Sequence, residues 1–467
     1  MNRCTGLAIG LMLVCLWSGH ALAQQPHIVV YLSDDHSQID SSLYSDEGIP
    51  TPEMEKMAKA GMTLHHAYVA SPTCAPSRAA LLTGLMPARN GAEGNHTFPH
   101  EDIKGLIPNL KQAGYQVAAF GKVAHGKSVG RYGFDHATTT KPHTQLKAEV
   151  LQYLKKHADQ GPLCVFVGTS NPHVLWPMDN QVDPDKLKLP PILLDTPKTR
   201  AERAAYAQEV IDLDILLGEL RTMAQQQLGD NVLFIHTSDH GAQWPFGKWN
   251  LYDYGTRVPF LVTWPGKIEP GSTSDAMINW VDILPTLIDA AGEQFIQDSD
   301  GLSFLPVLLG KTDHHRKRIF TTHTGDRDMN AYPIRAVRDK RWKLIHNLRP
   351  DLAHTNHTDQ LRRVGASMFW NEWAELYKTD PQARALIDRY YARPPFELFD
   401  LTNDPWEQYN LINEPAHAER IAEMKEMLRT WMAAQGDTGR MEKDNVPHPL
   451  IRPETWHPDY MPRKRKR

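Results

Sequence analysis

Asp34 and Asp35 stand side by side directly after an apolar run, and Asp239-His240-Gly241 follows another such run. Adjacent carboxylates repel each other and need a cation or strong donors when partly buried. Read alone, either cluster also suits an exposed turn or a helix cap. Together they offer three carboxylates and an imidazole, a donor set able to hold one hard divalent cation. Oxygen-rich ligation favours calcium, with magnesium possible, over zinc. Three more polar clusters also follow apolar runs or lie near these: Cys74 with Arg78 one helical turn on, Gly121-Lys122-Val123-Ala124-His125, and Asn171-Pro172-His173. Lys248 comes shortly after Asp239-His240. Open α/β sheets place their ligands beyond strand ends, where these residues fall.

Residues 74–84 read Cys-Ala-Pro-Ser-Arg-Ala-Ala-Leu-Leu-Thr-Gly. Here the chain resembles the type I sulfatases, whose signature is C-x-P-S-R followed by x-x-L-L-T-G, and every fixed position is present. The resemblance implies that Cys74 is oxidised to formylglycine by a formylglycine-generating or anaerobic sulfatase-maturing enzyme, and that Cys74 joins Asp34, Asp35, Asp239 and His240 around the cation. A hydrated aldehyde carries two hydroxyls on one carbon. One can attack sulfur, and the other can later expel sulfate by re-forming the carbonyl; a serine ester lacks that exit. A nearby cation lowers the pKa of the attacking hydroxyl. By the same resemblance Arg78 holds the modified side chain, Lys122 and Lys248 contact sulfate, His125 helps eliminate it, and His173 protonates the leaving group. The charges agree: a sulfate approaching three carboxylates is repelled unless a divalent cation with Lys122, Lys248 and Arg78 reverses the local field.

The resemblance extends along most of the chain and is closest to the heparan N-sulfatase (sulfamidase) subgroup. Tyr332-Pro333-Ile334-Arg335-Ala336-Val337-Arg338, Leu344-Ile345-His346-Asn347-Leu348, Tyr390-Tyr391-Ala392-Arg393 and Glu397-Leu398-Phe399-Asp400 carry it. Lys248, where that subgroup has arginine, and His240, in place of asparagine, depart from it. The expected substrate is a sulfated saccharide of the N-sulfoglucosamine type. O-sulfated glycans, phosphonate or phosphate esters, and a catalytically silent glycan-binding role are the alternatives.

The elements that must position these residues alternate. Pro26–Ser33, Tyr115–Phe120, Leu163–Val167, Val232–Ile235 and Val258–Thr263 read as strands, the first as a strand buried on both faces. Glu53–Ala60 reads as a helix stopped by Gly61, and Thr199–Leu228 as a long amphipathic helix. This alternation predicts an α/β fold, a mostly parallel sheet sandwiched by helices, and the resemblance makes it alkaline-phosphatase-like. From about Ile319 the texture changes. Pro333–His346 and Phe396–Leu401 read as antiparallel strands and Ala416–Ala433 as a last helix. The expected organisation is a catalytic domain over 24–315, a smaller α+β domain over 316–440 and an extension over 441–467.

The 467 residues are 41% hydrophobic and 23% charged, which excludes wholesale disorder. A net charge of −4 gives no sign of a nucleic-acid partner. The one strongly basic run, Arg463–Arg467, reads as a solvated tail. Arg3, the apolar run Leu7–Trp17 and Ala21-Leu22-Ala23 predict a signal peptide over 1–23 and export to a periplasm or the medium, or to a lysosome or the extracellular space in a eukaryotic host. No later run is long enough to span a membrane. Cys74 and Cys164 could pair in an oxidising compartment, but a cysteine consumed by oxidation cannot, and Cys164 reads as a small apolar residue inside a strand. Asn95-His96-Thr97 and Asn356-His357-Thr358 are glycosylation sequons only in a eukaryotic host.

Overall fold

The structure, a computed structural model, describes residues 25–294 and 298–441. The expected signal segment, the basic run and nearly all of the 441–467 extension lie outside these residues. Eight strands build the main sheet: β1 (His27–Ser33), β2 (Met62–Tyr68), β3 (Gln116–Gly121), β4 (His136–Ala137), β5 (Leu163–Gly168), β6 (Val232–Ser238), β7 (Phe260–Thr263) and β8 (Ser272–Asn279). Their order is β4-β3-β5-β1-β6-β7-β2-β8. The sheet is mostly parallel, as expected, but β7 runs antiparallel to both β6 and β2.

The unbroken apolar run of β1 has the predicted cause. Ile28, Val30 and Leu32 face one core with Leu81, Leu110, Leu284 and Leu287. Val29 and Tyr31 face the other, with Leu146, Leu154, Leu213 and Leu217. The second group comes from the His143–His157 and Pro197–Leu228 helices, and the first from helices on the opposite face that include Cys74–Thr83 and Ile283–Ala290. Each large aliphatic side chain buried this way contributes roughly 1.5–3 kcal/mol, so the central strands form a stiff base for whatever their ends carry.

Gly61 ends the Pro52–Ala60 helix for a reason other than a left-handed cap. Its φ is −157°, and a Cβ there would lie 2.1 Å from the Val262 carbonyl oxygen on β7. Close packing, not handedness, selects glycine.

Four further strands, β9 (Ile319–His323), β10 (Ile334–Arg338), β11 (Trp342–Asn347) and β12 (Phe396–Asp400), form a wholly antiparallel sheet in the order β12-β11-β10-β9. The run Pro333–His346 is a hairpin whose turn is pinned by Asp339, which accepts hydrogen bonds from the backbone of Arg341 and Trp342 at 2.8 and 2.7 Å. One face of this sheet packs Val337, Leu344 and Leu398 on Ile421, Met424 and Leu428 of the Ala418–Gln435 helix. Ile334, Ala336, Ile345 and Phe399, on the other face, join the main core. The change of sheet falls between Asn279 and Ile319, and we propose 315 as the boundary of the two units. Three helices, His357–Leu361, Phe369–Leu376 and Pro381–Tyr391, are inserted between β11 and β12. Phe369, Trp370 and Trp373 anchor the insertion in the main core, which brings its first segment to the edge of the site described next.

Candidate active site

Register brings the polar clusters together. Ser33 pairs with Ser238, Leu32 with Gly168, and Gly121 with Gly168, so β3, β5, β1 and β6 end level. Lys122 follows β3, Asp34 follows β1 and Asp239 follows β6, while His173 lies in the loop after β5. The strand read as Val232–Ile235 runs on through His236-Thr237-Ser238, all within β6. Gly121 permits the close approach: its φ is +73°, and a Cβ would fall 2.1 Å from the Gly168 carbonyl oxygen. The backbone N–H of Lys122 donates to that same carbonyl at 2.8 Å.

Cys74 is the first residue of the Cys74–Thr83 helix, every residue of which is buried. Its Sγ lies 3.6 Å from Asp34 Oδ1, 3.3 Å from His240 Nε2 and 3.5 Å from Lys122 Nζ. Arg78 lies one turn later beneath these groups. Its Nε donates to Asp239 Oδ2 at 2.9 Å, its Nη2 to Asp34 Oδ1 at 3.4 Å, and its Nη1 to the carbonyls of Lys122 and Val123. Arg78 thus grips the carboxylates around residue 74. Lys122 Nζ donates to Asp34 Oδ2. Lys248 Nζ donates to both oxygens of Asp35 at 2.9 Å, from a buried loop that turns through left-handed Phe246 and Trp249. Asp35 itself is left-handed, with φ of 70°, a conformation that aspartate tolerates better than most residues. Its N–H donates to Asp239 Oδ1 at 3.1 Å.

Among the described residues Cys74 and Cys164 are both free and buried, yet their environments are opposite. Burial pushes the Cys164 thiol up, with no charge to oppose it. At Cys74 burial acts the same way, but Lys122, Lys248 and His240 outweigh it and hold the thiol well below its usual range. An anionic group at position 74 is therefore favoured, and Cys164 is inert. Burial also opposes ionisation of Asp34, where Lys122, with smaller help from His173 and Arg78, wins and keeps the carboxyl low. At Asp239 burial prevails, with Asp34 adding to it, and the carboxyl is pushed up to about 7 against Arg78.

The residues present fit a divalent cation. Asp34, Asp35, Asp239 and His240 are all fully buried. Donor atoms of Asp34, Cys74, Asp239 and His240 lie within 4.8 Å of one another, and Asp35, Cys74 and His173 make a second such group. His240 Nδ1 donates to the Gly241 carbonyl at 2.9 Å, which turns Nε2 toward the carboxylates. With His240 neutral, as a metal ligand must be, three carboxylates face three cations, Arg78, Lys122 and Lys248. A divalent ion adds two positive charges, which a sulfate-ester monoanion and an ionised nucleophile at position 74 would balance.

Above this cluster opens a cavity of about 260 Å³, lined by Cys74, Lys122, His125, His173 and Lys248. Its outer wall contains residues that the sequence did not single out for chemistry: Asn95, His96, Trp249, Asp326, His357 and Arg363. Trp249 and His357 stack at 4.9 Å with planes 11° apart. Both sequon asparagines serve the fold instead of presenting glycan sites. Asn95 Oδ1 accepts from the Ala75 N–H at 3.2 Å and its Nδ2 donates to Asp326 at 2.8 Å, while Asn356 caps the His357–Leu361 helix; both are buried. The repeated Asn-His-Thr triplet was the one available signal for this wall, because each copy carries a cavity histidine.

Residues 26–293 match the family model for sulfatases, and residues 240–355 match the model for the C-terminal part of N-sulphoglucosamine sulphohydrolase. An ulvan-active sulfatase of Formosa agariphila is 32% identical over 93% of this chain and 85% of its own length. Human N-sulphoglucosamine sulphohydrolase is 26% identical over 92% of this chain and 94% of its own. The solved structure of BT4656 with its substrate D-glucosamine-2-N,6-O-disulfate superposes with a TM-score of 0.67 at 19% identity, covering 90% of this chain and 100% of that one. At that identity it shows the fold alone, which is alkaline-phosphatase-like. With the signature at 74–84 seated at the ends of the central strands, and with these matches spanning most of its length, the chain belongs to the sulfatase family.

Proposed function

We propose that this protein removes sulfate groups from a sulfated saccharide, using formylglycine derived from Cys74 and one divalent cation, calcium in preference to magnesium. The observation that carries the reading is the seating of residue 74, where Sγ, standing in for a hydroxyl of the hydrated aldehyde, lies between the Asp34 carboxylate and the Lys122 ammonium. Asp34, Asp35, Asp239, His240 and residue 74 would hold the cation, which would supply the Lewis acidity that lowers the pKa of the attacking hydroxyl. Lys122 and Lys248 hold the sulfate oxygens, and Arg78 fixes the two carboxylates beneath. His173 Nδ1 is committed to the Val174 carbonyl at 2.6 Å, so any proton it delivers to the departing sugar atom comes from Nε2. His125 takes the proton released when sulfate leaves. The cavity accommodates about one sugar ring, which supports exo action.

N-sulfoglucosamine is the substrate we favour, on the match of residues 240–355. An O-sulfated glycan is the second reading, favoured by the 32% identity to an ulvan-active sulfatase. The signal-like residues 1–23 support export, and among the described residues no helix is long and apolar enough to cross a membrane. Protein matured by a formylglycine-forming enzyme should release sulfate from one saccharide in a panel of N-sulfoglucosamine, ulvan-derived and other O-sulfated sugars, an activated aryl sulfate and a phosphonate monoester. Binding of a saccharide without any release would make the protein a silent glycan-binding module, and preference for the phosphonate would overturn sulfate as the substrate. On the same panel His173→Ala should lose about 10²–10⁴-fold on the saccharide, the usual contribution of a general acid. The aryl sulfate, whose phenol departs unaided, should lose under about tenfold on the same scale. Equal damage to both would make His173 a sulfate-binding residue.

A further inference from the structure

The cavity wall contains a continuous chain of groups that ends on His125. Asp326 is 2% exposed, and its Oδ2 accepts from Trp249 Nε1 at 2.9 Å and from Asn95 Nδ2 at 2.8 Å. Those two donors leave Oδ1 facing His96 Nε2 at 3.5 Å. His96 Nδ1 in turn meets His125 Nε2 at 2.8 Å, with ring centroids 4.7 Å apart. His125 Nδ1 is buried with no hydrogen-bond partner among the described residues, and His125 lines the same cavity as Cys74. His96 is held in the left-handed region, with φ of 68°, a strained setting for a histidine that persists when the surroundings fix it. The Asn95 N–H donates to the Gly325 carbonyl at 2.9 Å, and Thr97 bonds back to the Gly94 carbonyl, so both flanks of His96 are tied down.

We propose that Asp326 and His96 form a positioning relay that fixes the tautomer of His125, leaving His125 Nδ1 bare to act as a base toward residue 74. The inference rests on the formylglycine reading above for its chemical consequence, though not for its geometry. A carboxylate cannot donate, so across the 3.5 Å separation its charge favours the His96 tautomer that carries its proton on Nε2. His96 Nδ1 is then an acceptor, and the proton between the two rings must belong to His125 Nε2. That leaves a lone pair on His125 Nδ1. When sulfate departs, the proton of residue 74's second hydroxyl moves to that nitrogen, its O–H electron pair becomes the carbonyl bond, and the carbon–oxygen bond to sulfate breaks. Burial opposes protonation of His96, and the neighbouring His125 adds to this against Asp326, so the His96 ring is held toward its neutral form. Asp326 and His96 line the outer wall of the cavity, and the role assigned to them here is exerted on residue 74 through His125.

Asp326→Asn tests the relay without changing shape. Trp249 and Asn95 both donate, so they hold the new amide oxygen on their side and turn its NH₂ toward His96. His96 must then accept at Nε2 and carry its proton on Nδ1, which forces His125 to accept at Nε2 and to protonate Nδ1, the wrong nitrogen for a base. A carboxylate that sets a histidine tautomer is catalytically important for this reason in serine proteases. Matured Asp326→Asn should show one burst of product and then stall, with sulfate retained on the protein by mass spectrometry and steady-state turnover down about 10²–10³-fold. Long-range ¹⁵N spectra read the tautomer directly in a Cys74→Ala background, which removes the thiolate beside His125. They should show the Nε2–H form of His125 while Asp326 is intact and the Nδ1–H form once Asp326→Asn is added. His96→Asn, whose side-chain oxygen falls near the lost Nδ1 and which suits a left-handed backbone, should restore most of the turnover that His96→Ala loses. An unchanged His125 tautomer, or His96→Ala with the turnover of the parent, overturns the relay. Should Asp326→Asn fail to fold, the His96→Asn and His96→Ala pair decides it. Absence of any sulfate release by the parent enzyme would sink the proposed function instead, and the spectra of unconverted protein would still judge the relay.

Discussion

Replacing Cys74 by alanine is expected to abolish turnover, by about 10⁴-fold or more as for other essential nucleophiles, while the protein keeps its fold. The fold should survive because residue 74 contributes little apolar surface and its charge is a burden to its neighbours. The anionic thiol raises the pKa of both Asp34 and Asp239, so its removal relieves a crowd of negative charge. Cys74→Ser separates attack from release. A serine hydroxyl can attack sulfur beside Lys122 and a bound cation, but it has no second hydroxyl with which to expel sulfate. One equivalent of product followed by a stall is the expected course, with a stable sulfated serine in the peptide spanning residue 74. In active wild-type protein that peptide should show loss of sulfur and gain of an aldehyde oxygen. Full activity with an intact thiol would defeat the formylglycine reading, and the low pKa of Cys74 would then mark a thiolate nucleophile or metal ligand.

The sequence carried the inner half of this site and missed the outer half, for physical reasons. Asp34, Lys122 and Asp239 directly follow continuous apolar strands, His173 sits in the loop after one of them, and Cys74 opens the helix that carries the signature; such strands announce themselves by periodicity, and parallel register then lines up their ends. β2 escaped notice because His65 and His66 interrupt its apolar pattern, and β8 because it opens Ser-Thr-Ser-Asp before its buried half begins. The antiparallel direction of β7 against β6 and β2 leaves no mark in its own short apolar run, because apolar patterning does not encode strand direction. Asn95, His96, Trp249, Asp326 and His357 come from separate loops and a short helix start, where no periodicity exists. Their role follows from tertiary packing, above all from Asp326, which collects Asn95 and Trp249 from distant parts of the chain. The Asn-His-Thr triplets read as glycan acceptors in isolation because a sequon carries no information about burial.

Loss of Arg78 should couple to loss of the cation. The Arg78 guanidinium is fully buried and bonds to both Asp239 and Asp34, and the same two carboxylates belong to the candidate cation cluster. Breaking a buried ion pair by removing one partner costs about 3–5 kcal/mol, because the remaining charge is left unpaired. In Arg78→Ala Asp34 keeps Lys122, while Asp239 keeps only His240 at 3.6 Å and the Asp35 N–H at 3.1 Å, so activity should vanish and the melting temperature should fall. A bound divalent ion can take over part of the missing compensation. Chelation of the wild type should itself lower stability, by about 2.7 kcal/mol if the ion is present at a hundred times its dissociation constant. In Arg78→Ala chelation should do more damage than in the wild type, and the excess is the coupling energy of a double-perturbation cycle, of the order of 0.5–3 kcal/mol for groups in contact. Melting curves of both proteins with calcium, with magnesium and with chelator, alongside elemental analysis, measure it directly. Strictly additive losses would place the ion away from Asp34 and Asp239, and stable, active protein shown to be metal-free would remove the cation from the site. A larger excess with calcium than with magnesium would follow from the donor set, since the crowded carboxylates and one imidazole around residue 74 suit a larger, less strictly octahedral ion.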